Sequence, residues 1–186
     1  MGTLLAVCAV HQLLPDSGTV GTTAIDKRPV DGPVRVGPLG IYGDIQADRV
    51  HHGSEEQAVY AYAQEDAEWW AEALGREIPF GTLFGENLRT QGMDVSRALV
   101  GERWRIGSVL LEATRPRNPC MTFARRMGLE KDGWVKRFAS ERRLGTYFRV
   151  LEKGRLAAGD AIERVYVPTG APTARDLLGG PGRSSD

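Results

Sequence analysis

The chain has 186 residues, with 24 Lys and Arg against 24 Asp and Glu, so its formal net charge is zero. That balance argues against nucleic acid or a membrane surface as the main partner, and any functional charge must therefore be local. Hydrophobic residues make up 41% and the two cysteines, Cys8 and Cys120, stand far apart, so one domain without a disulfide framework is expected over residues 1–186.

Residues 4–10, Leu-Leu-Ala-Val-Cys-Ala-Val, read as a first strand with Cys8 in the core. The run is too short to span a bilayer, and no basic lead or small-residue cleavage site marks a signal peptide, so a cytoplasmic protein is expected. Leu14-Pro15-Asp16-Ser17-Gly18 is turn chemistry. Residues 28–36 predict a Pro-interrupted edge strand, a hairpin around Asp31-Gly32 and a second strand. Lys27 just before it is by default a solvated lysine. Residues 37–48 are too glycine-rich for a helix and read as a loop carrying Asp44 and Asp48, with His51-His52-Gly53 directly after. A zinc site there is disfavoured, because the spacing fits no helical face and no second Cys or His cluster completes it.

Residues 58–62 predict a strand and 65–74 a helix ended by Gly75, with Trp69, Trp70, Ala73 and Leu74 on its apolar face. A rival reading is one longer helix capped by Ser54 with Gln57 three residues on; the alternation of Tyr60 and Tyr62 favours the split. A strand begins near Leu88, another spans 103–106, and a buried one runs to Ala113. Residues 122–129 and 134–140 predict short helices, and 147–151 and 160–167 predict strands joined by a turn over 152–159. The Pro/Gly/Ser-rich tail from 168 reads as short and partly mobile. Many short strands between Gly/Pro turns, with few helices and no βαβ alternation, predict a mainly β chain closed into a barrel with a few peripheral short helices.

Thr114-Arg115-Pro116-Arg117-Asn118-Pro119-Cys120 is the stretch with the strongest chemical signal. Two prolines fix φ and remove two donors, so the strand ends there and Cys120 falls at a stiff bend with two guanidiniums close in sequence. Cations near a thiol favour the thiolate, the form that attacks substrates and binds metals. The plainer alternative is a small core cysteine beside solvated arginines.

Seven stretches together resemble one family: Asp26-Lys27, Gly43 to Asp48, His52-Gly53, Gln57-Ala58-Val59, Phe84 to Leu88, Arg115 to Cys120, and Phe148-Arg149-Val150. Their order and spacing are similar to the MOSC domain (molybdenum cofactor sulfurase C-terminal domain), in its stand-alone YiiM-like bacterial branch, over roughly residues 22–167. The resemblance implies a β-barrel related to that of pyruvate kinase and a molybdenum-pterin cofactor with Cys120 as the molybdenum ligand. A thiolate is a soft donor suited to a metal already held by a dithiolene. Lys27, Arg115, Arg117 and Arg149 are then the candidate cations for the pterin phosphate, His52 a proton-transfer group near the metal, and Glu86 and Asn87 parts of the same wall. The implied activity is a detoxifying reduction of N-hydroxylated compounds such as hydroxylaminopurines and amidoximes. Electrons would come from a separate donor protein, since no flavin or haem motif is visible. The alternative is a non-catalytic carrier of the cofactor, or of sulfur as a Cys120 persulfide. Pyridoxal phosphate is not expected, because no lysine stands in a Schiff-base setting. Monomer and homodimer both remain open. Three departures from the family pattern are expected: Ser108 replaces the usual Asp, Ser54-Glu55-Glu56-Gln57 replaces the commoner Gly-Pro-Asp-Lys pattern, and of the C-terminal helical extension of longer relatives only Thr173 to Leu178 stands in this sequence.

Overall fold

The computed structural model describes residues 1–45 and 54–178. Seven strands close into a barrel: β1 (Gly2–Val10), β2 (Val59–Ala63), β3 (Leu88–Gln91), β4 (Arg103–Ile106), β5 (Val109–Pro116), β6 (Thr146–Glu152) and β7 (Ala161–Tyr166). Around the barrel they run β1-β3-β2-β6-β5-β4-β7, and β7 returns to β1 with Gly2 opposite Ile162. Every pairing is antiparallel except β2 with β3. Closure leaves no free edge among these strands, which removes the aggregation hazard of an open β-sheet.

Period-2 alternation sorts the side chains. On β6, Thr146 and Phe148 are buried towards the interior while Tyr147 and Arg149 point outward. Val7, Leu88, Trp104, Leu111 and Ile162 join Phe148 in the same interior cluster, each at most 1% exposed.

Three helices cover part of the outer wall: α1 (Gln64–Leu74), α2 (Met121–Met127) and α3 (Trp134–Glu141). Gly75 ends α1 in the left-handed region, the stop that the sequence predicts. The helices bury Trp70, Phe123, Trp134 and Phe138 against the outward-facing Tyr60, Tyr62 and Phe84. Trp70 stacks on Phe138 at 5.4 Å, and Phe84 meets Phe123 edge-on at 5.5 Å. Each such ring contributes about 1.5–3 kcal/mol by leaving water, so apolar contact holds this layer to the barrel. Among the described residues, no helix is long and apolar enough to cross a membrane.

Residues 54–63 divide as the split reading predicts. Glu55–Gln57 form a single 3-10 turn without a side-chain cap from Ser54, and β2 begins at Val59. Three details differ from the sequence expectation. The hairpin predicted around Asp31-Gly32 is absent: Lys27–Pro29 pairs with the end of β1, while Val34–Gly37 pairs with Gly154–Leu156 and Gly40–Ile41 in a separate small sheet. A two-residue hairpin turn needs positive φ at its first central residue, and at both in the Asp-Gly type, whereas here only Gly32 has it and Asp31 does not. Gly154–Leu156 is therefore a strand inside the predicted 152–159 turn, and Gly40–Ile41 a strand inside the predicted 37–48 loop.

Gly40 has φ +109, and a Cβ there would overlap the Ala58 carbonyl oxygen. Gly40→Ala is expected to destabilise the fold by about 1–3 kcal/mol from backbone strain alone, read as a lower urea midpoint. An unchanged midpoint would show that the small sheet shifts freely against β2.

Candidate functional site

The Cys120 loop is built from below. β5 ends at Pro116, opposite Thr146, and the next side chain, Arg117, turns into the protein. Its Nη1 donates to the Phe84 carbonyl, and its guanidinium lies 4.1 Å from the Phe123 ring and 5.3 Å from that of Tyr60. Burial opposes this charge, but the surrounding Tyr60, Tyr147 and Cys120 outweigh it and hold Arg117 above its ordinary value. Pro119 is buried and Cys120 exposed. Cys120 has extended backbone (φ −133, ψ 172), and its carbonyl accepts from Ala124 at 3.0 Å to open α2. Its side chain makes no capping bond, so the thiol is free to face outward.

Helix α2 is moored by acids from the region before Lys27. Asp16 accepts from Arg125 Nε at 2.7 Å and Nη2 at 2.6 Å, and from Thr122 Oγ1 at 2.9 Å. Asp26 accepts from Arg126 at 2.8 Å and Gln12 at 2.8 Å. The Arg125 guanidinium, with Thr122 and the Gly18 amide, lowers the Asp16 carboxyl from 3.8 to about 2. The ionised form is the one the fold favours, so this mooring is complete above the unfolded value of 3.8 and is lost as pH falls through about 2. Asp16→Asn is expected to flatten the acid limb of a stability-against-pH curve across that window. An unchanged acid limb would show that the pair carries no net stability.

The second part of the site surrounds Asp44. Its carboxylate accepts from the Val10 amide at 2.8 Å, from Asn87 Nδ2 at 2.7 Å and from Lys27 Nζ. Asn87 also accepts from the Tyr60 amide at 3.1 Å and donates to the Cys8 carbonyl at 3.2 Å, tying β1 to β2. Lys27 is buried, not solvated, and its charge is matched by Asp44. Asp44 thus ties its own loop to the barrel. The sequence reading placed it in a loop beside a disfavoured zinc site; three bonds converging on one carboxylate need the fold to be seen.

Glu86, next to Asn87, is fully buried with Arg89. Its Oε1 accepts from Gly81 N at 2.8 Å, Arg89 Nε at 2.8 Å and Arg89 Nη2, whereas Oε2 has no partner among the described residues. Arg89 Nη1 also donates to Gln64 Oε1 at 3.0 Å. Cys8 packs against Gly81, whose amide Glu86 holds: a Cβ on Gly81 would lie 2.9 Å from that of Cys8, so only glycine fits, at φ +68. Burial first, then the Glu86 charge, pushes the Cys8 thiol up to about 12. Cys8 is a core thiol, as its strand pattern predicts.

The structure therefore brings Lys27, Glu86 and Asn87 together, and sets Arg117 beside Cys120. The two parts meet along residues 80–88, through the Phe84 carbonyl on one side and Asn87 on the other. Arg115 and Arg149 lie elsewhere. Arg115 pairs with Glu56 in the 3-10 turn, and both are substantially exposed. Arg149 pairs with Glu112, which Arg103 also holds at 2.8 Å on the outer barrel face. His52 lies outside the described residues.

Among the described residues, no group of three or more His, Cys, Asp or Glu side chains could enclose a metal ion. One exposed thiol beside a buried cation nevertheless fits a metal that brings its other ligands with it, as a dithiolene-bound molybdenum would. A phosphate on the same group would have to take Lys27, Arg115 or Arg149 from a carboxylate each already holds.

A closed mainly β barrel with a Pro-bounded cysteine loop on its helical side defines a class, and comparison assigns it. Residues 48–163 match the MOSC domain model. The uncharacterized protein YflK of Bacillus subtilis is 34% identical over 152 residues, covering 82% of this chain and 67% of YflK. The crystal structure of YiiM from Geobacillus stearothermophilus superposes with a TM-score of 0.74 at 28% identity, covering 94% of this chain and 80% of that one. A protein named "Reductase" from Gibberella moniliformis is 33% identical over 150 residues, covering 79% of this chain but only 26% of that longer protein. The chain belongs to the MOSC domain family, in its YiiM-like bacterial branch.

Proposed function

We propose that this chain binds the molybdenum-pterin cofactor with Cys120 as its protein ligand and reduces N-hydroxylated small molecules. The observation that carries the reading is the Cys120 thiol: exposed, free of any capping bond, and held by a Pro-bounded loop over the buried Arg117. Family membership supports the cofactor, and the name of the fungal relative supports reductase chemistry. When bound, the cofactor supplies two-electron removal of oxygen from an N–O bond.

The balanced change is R–NH–OH plus two electrons and two protons giving R–NH2 and water. The N–O bond breaks, and the electrons come from a separate protein carrying a flavin or an iron–sulfur cluster. The chain's own residues bind and orient. Arg117 sets a fixed positive charge next to the ligand sulfur, where it offsets the negative charge of a metal-bound thiolate. Asn87 and Asp44 hold the wall beside Lys27. Lys27 is the proposed phosphate cation, exchanging Asp44 for phosphate, whereas Arg115 and Arg149, named by the resemblance, are held away from the site by Glu56 and Glu112. His52 is the proposed proton donor on its sequence motif alone.

The test is expression in a host that makes the cofactor, followed by metal analysis and turnover of a hydroxylaminopurine and an amidoxime with dithionite as reductant. Stoichiometric molybdenum with turnover supports the proposal. Molybdenum without turnover would leave the carrier role, and no molybdenum beside a loaded positive control would end both.

A further inference from the structure

The small sheet carries a feature that the site does not use. Arg35 and Arg155 stand directly opposite each other on its antiparallel strands, so both side chains share one face. Tyr42 extends the same row on the other flank, its amide donating to the Arg35 carbonyl at 2.9 Å, and the Arg35 guanidinium lies 4.6 Å from the Tyr42 ring. With Lys153 these residues line an open cleft of about 240 Å³. Among the described residues, no carboxylate pairs with any of the three cations.

Like charges directly opposite on paired strands are destabilising. On the barrel strands, by contrast, Arg103, Arg105, Arg149 and Arg164 are each matched with an acid. The Arg35–Arg155 pair is also presented rigidly. The Arg155 amide donates to Ser108 Oγ at 2.8 Å, and its carbonyl accepts from the Ser108 amide at 3.0 Å. Arg35, Lys153 and Arg155 are all exposed, so the cleft suits the rim of a large partner better than an enclosed small ligand. Tyr42 is two residues from Asp44, the carboxylate that Lys27 and Asn87 hold.

We propose that Arg35, Tyr42, Lys153 and Arg155 form the docking surface for an acidic protein, the electron donor of the reductase reaction. The identity of that partner rests on the proposed function; the acidic chemistry rests on the cations left unmatched among the described residues. Complementary charge speeds encounter and fixes orientation beside the site. Nucleic acid is the poorer fit, because the patch is small and the chain carries no net positive charge.

The test uses the full chain and a fluorescein-labelled polyglutamate peptide, followed by anisotropy. Binding at about 20 mM salt should weaken strongly at about 150 mM, where charges are screened beyond roughly 8 Å. Arg155→Glu converts a like-charge pair into a cross-strand ion pair, so it should leave the thermal midpoint unchanged or raised while weakening peptide binding about tenfold. The double variant Arg35→Glu/Arg155→Glu should abolish binding and remain folded by circular dichroism. Equal binding by the folded variants, or none by the wild type, would overturn the surface. Tighter binding of an oligonucleotide of equal charge would overturn it in favour of nucleic acid. In the loaded protein, Arg155→Glu should raise KM for a reduced ferredoxin without changing dithionite-driven turnover. An unchanged KM would remove the electron-donor assignment. If the wild type shows no dithionite-driven turnover, the reductase reading fails, and peptide binding still decides the surface.

Discussion

Cys120→Ala is expected to lower molybdenum in the purified protein to background while leaving its stability nearly intact. The side chain is exposed and makes no capping bond, so truncation should change stability by no more than about 0.5 kcal/mol. Loss of metal without loss of fold would identify a ligand. The informative control is Cys8→Ala. That thiol is fully buried between Gly81 and Glu86, with its proton held up to about 12, so it offers no thiolate to a metal. Cys8→Ala should lower the thermal midpoint and keep the metal. Equal molybdenum in wild type and Cys120→Ala, by mass spectrometry after expression in a cofactor-competent host, would move the ligand elsewhere.

Arg89→Leu is expected to be among the most destabilising single changes, because it strands the Glu86 carboxylate in the interior. Both side chains are fully buried, and Arg89 supplies two of the three donors to Glu86 Oε1, while Oε2 has none among the described residues. Removing one partner of a buried ion pair costs about 3–5 kcal/mol, mainly through the uncompensated charge left behind. Urea unfolding should show that loss, and Glu86→Gln placed in the same background should recover part of it. A loss below about 1 kcal/mol would show that water or a proton reaches Glu86 freely. Gly81 and Asn87 flank Glu86 in the wall beside Lys27, so the pair sets the shape of that wall as well as the fold's stability.

Much of the barrel was legible because its signals are local. The alternation of Tyr60 and Tyr62, the stop at Gly75 and the proline that ends β5 each depend on a few neighbours, and each appears where the sequence predicts it. Of the small sheet, only the strand through Val36 was legible. The sheet's central strand, 34–37, pairs with 154–156 across more than a hundred residues, and no local period marks strands of two or three residues such as 40–41 and 154–156. The site divides in the same way. The cysteine loop announces itself through prolines. That Arg117 turns inward to Phe84 while Arg115 turns outward to Glu56 depends on which face of the barrel each meets, and adjacent arginines look alike in sequence. Asp44 was visible as a carboxylate but not as the shared acceptor of Lys27, Asn87 and Val10.

The single parallel pairing, β2 with β3, has a consequence for where chemistry can be placed. Two antiparallel neighbours can be joined by a tight turn, but parallel ones need the chain to travel back along the outside before re-entering the sheet. Here the return journey runs through α1 and then residues 75–87. That detour supplies Gly81, Phe84, Glu86 and Asn87, the segment that touches both the cysteine loop and the Lys27 cluster. Reversing one strand would let a short link replace the detour and would delete the wall with it. A direction of travel inside the sheet thus makes room for a wall outside it, and lengthening or reshaping the 75–87 stretch offers a way to alter that wall while the barrel's ladder of strands stays as it is.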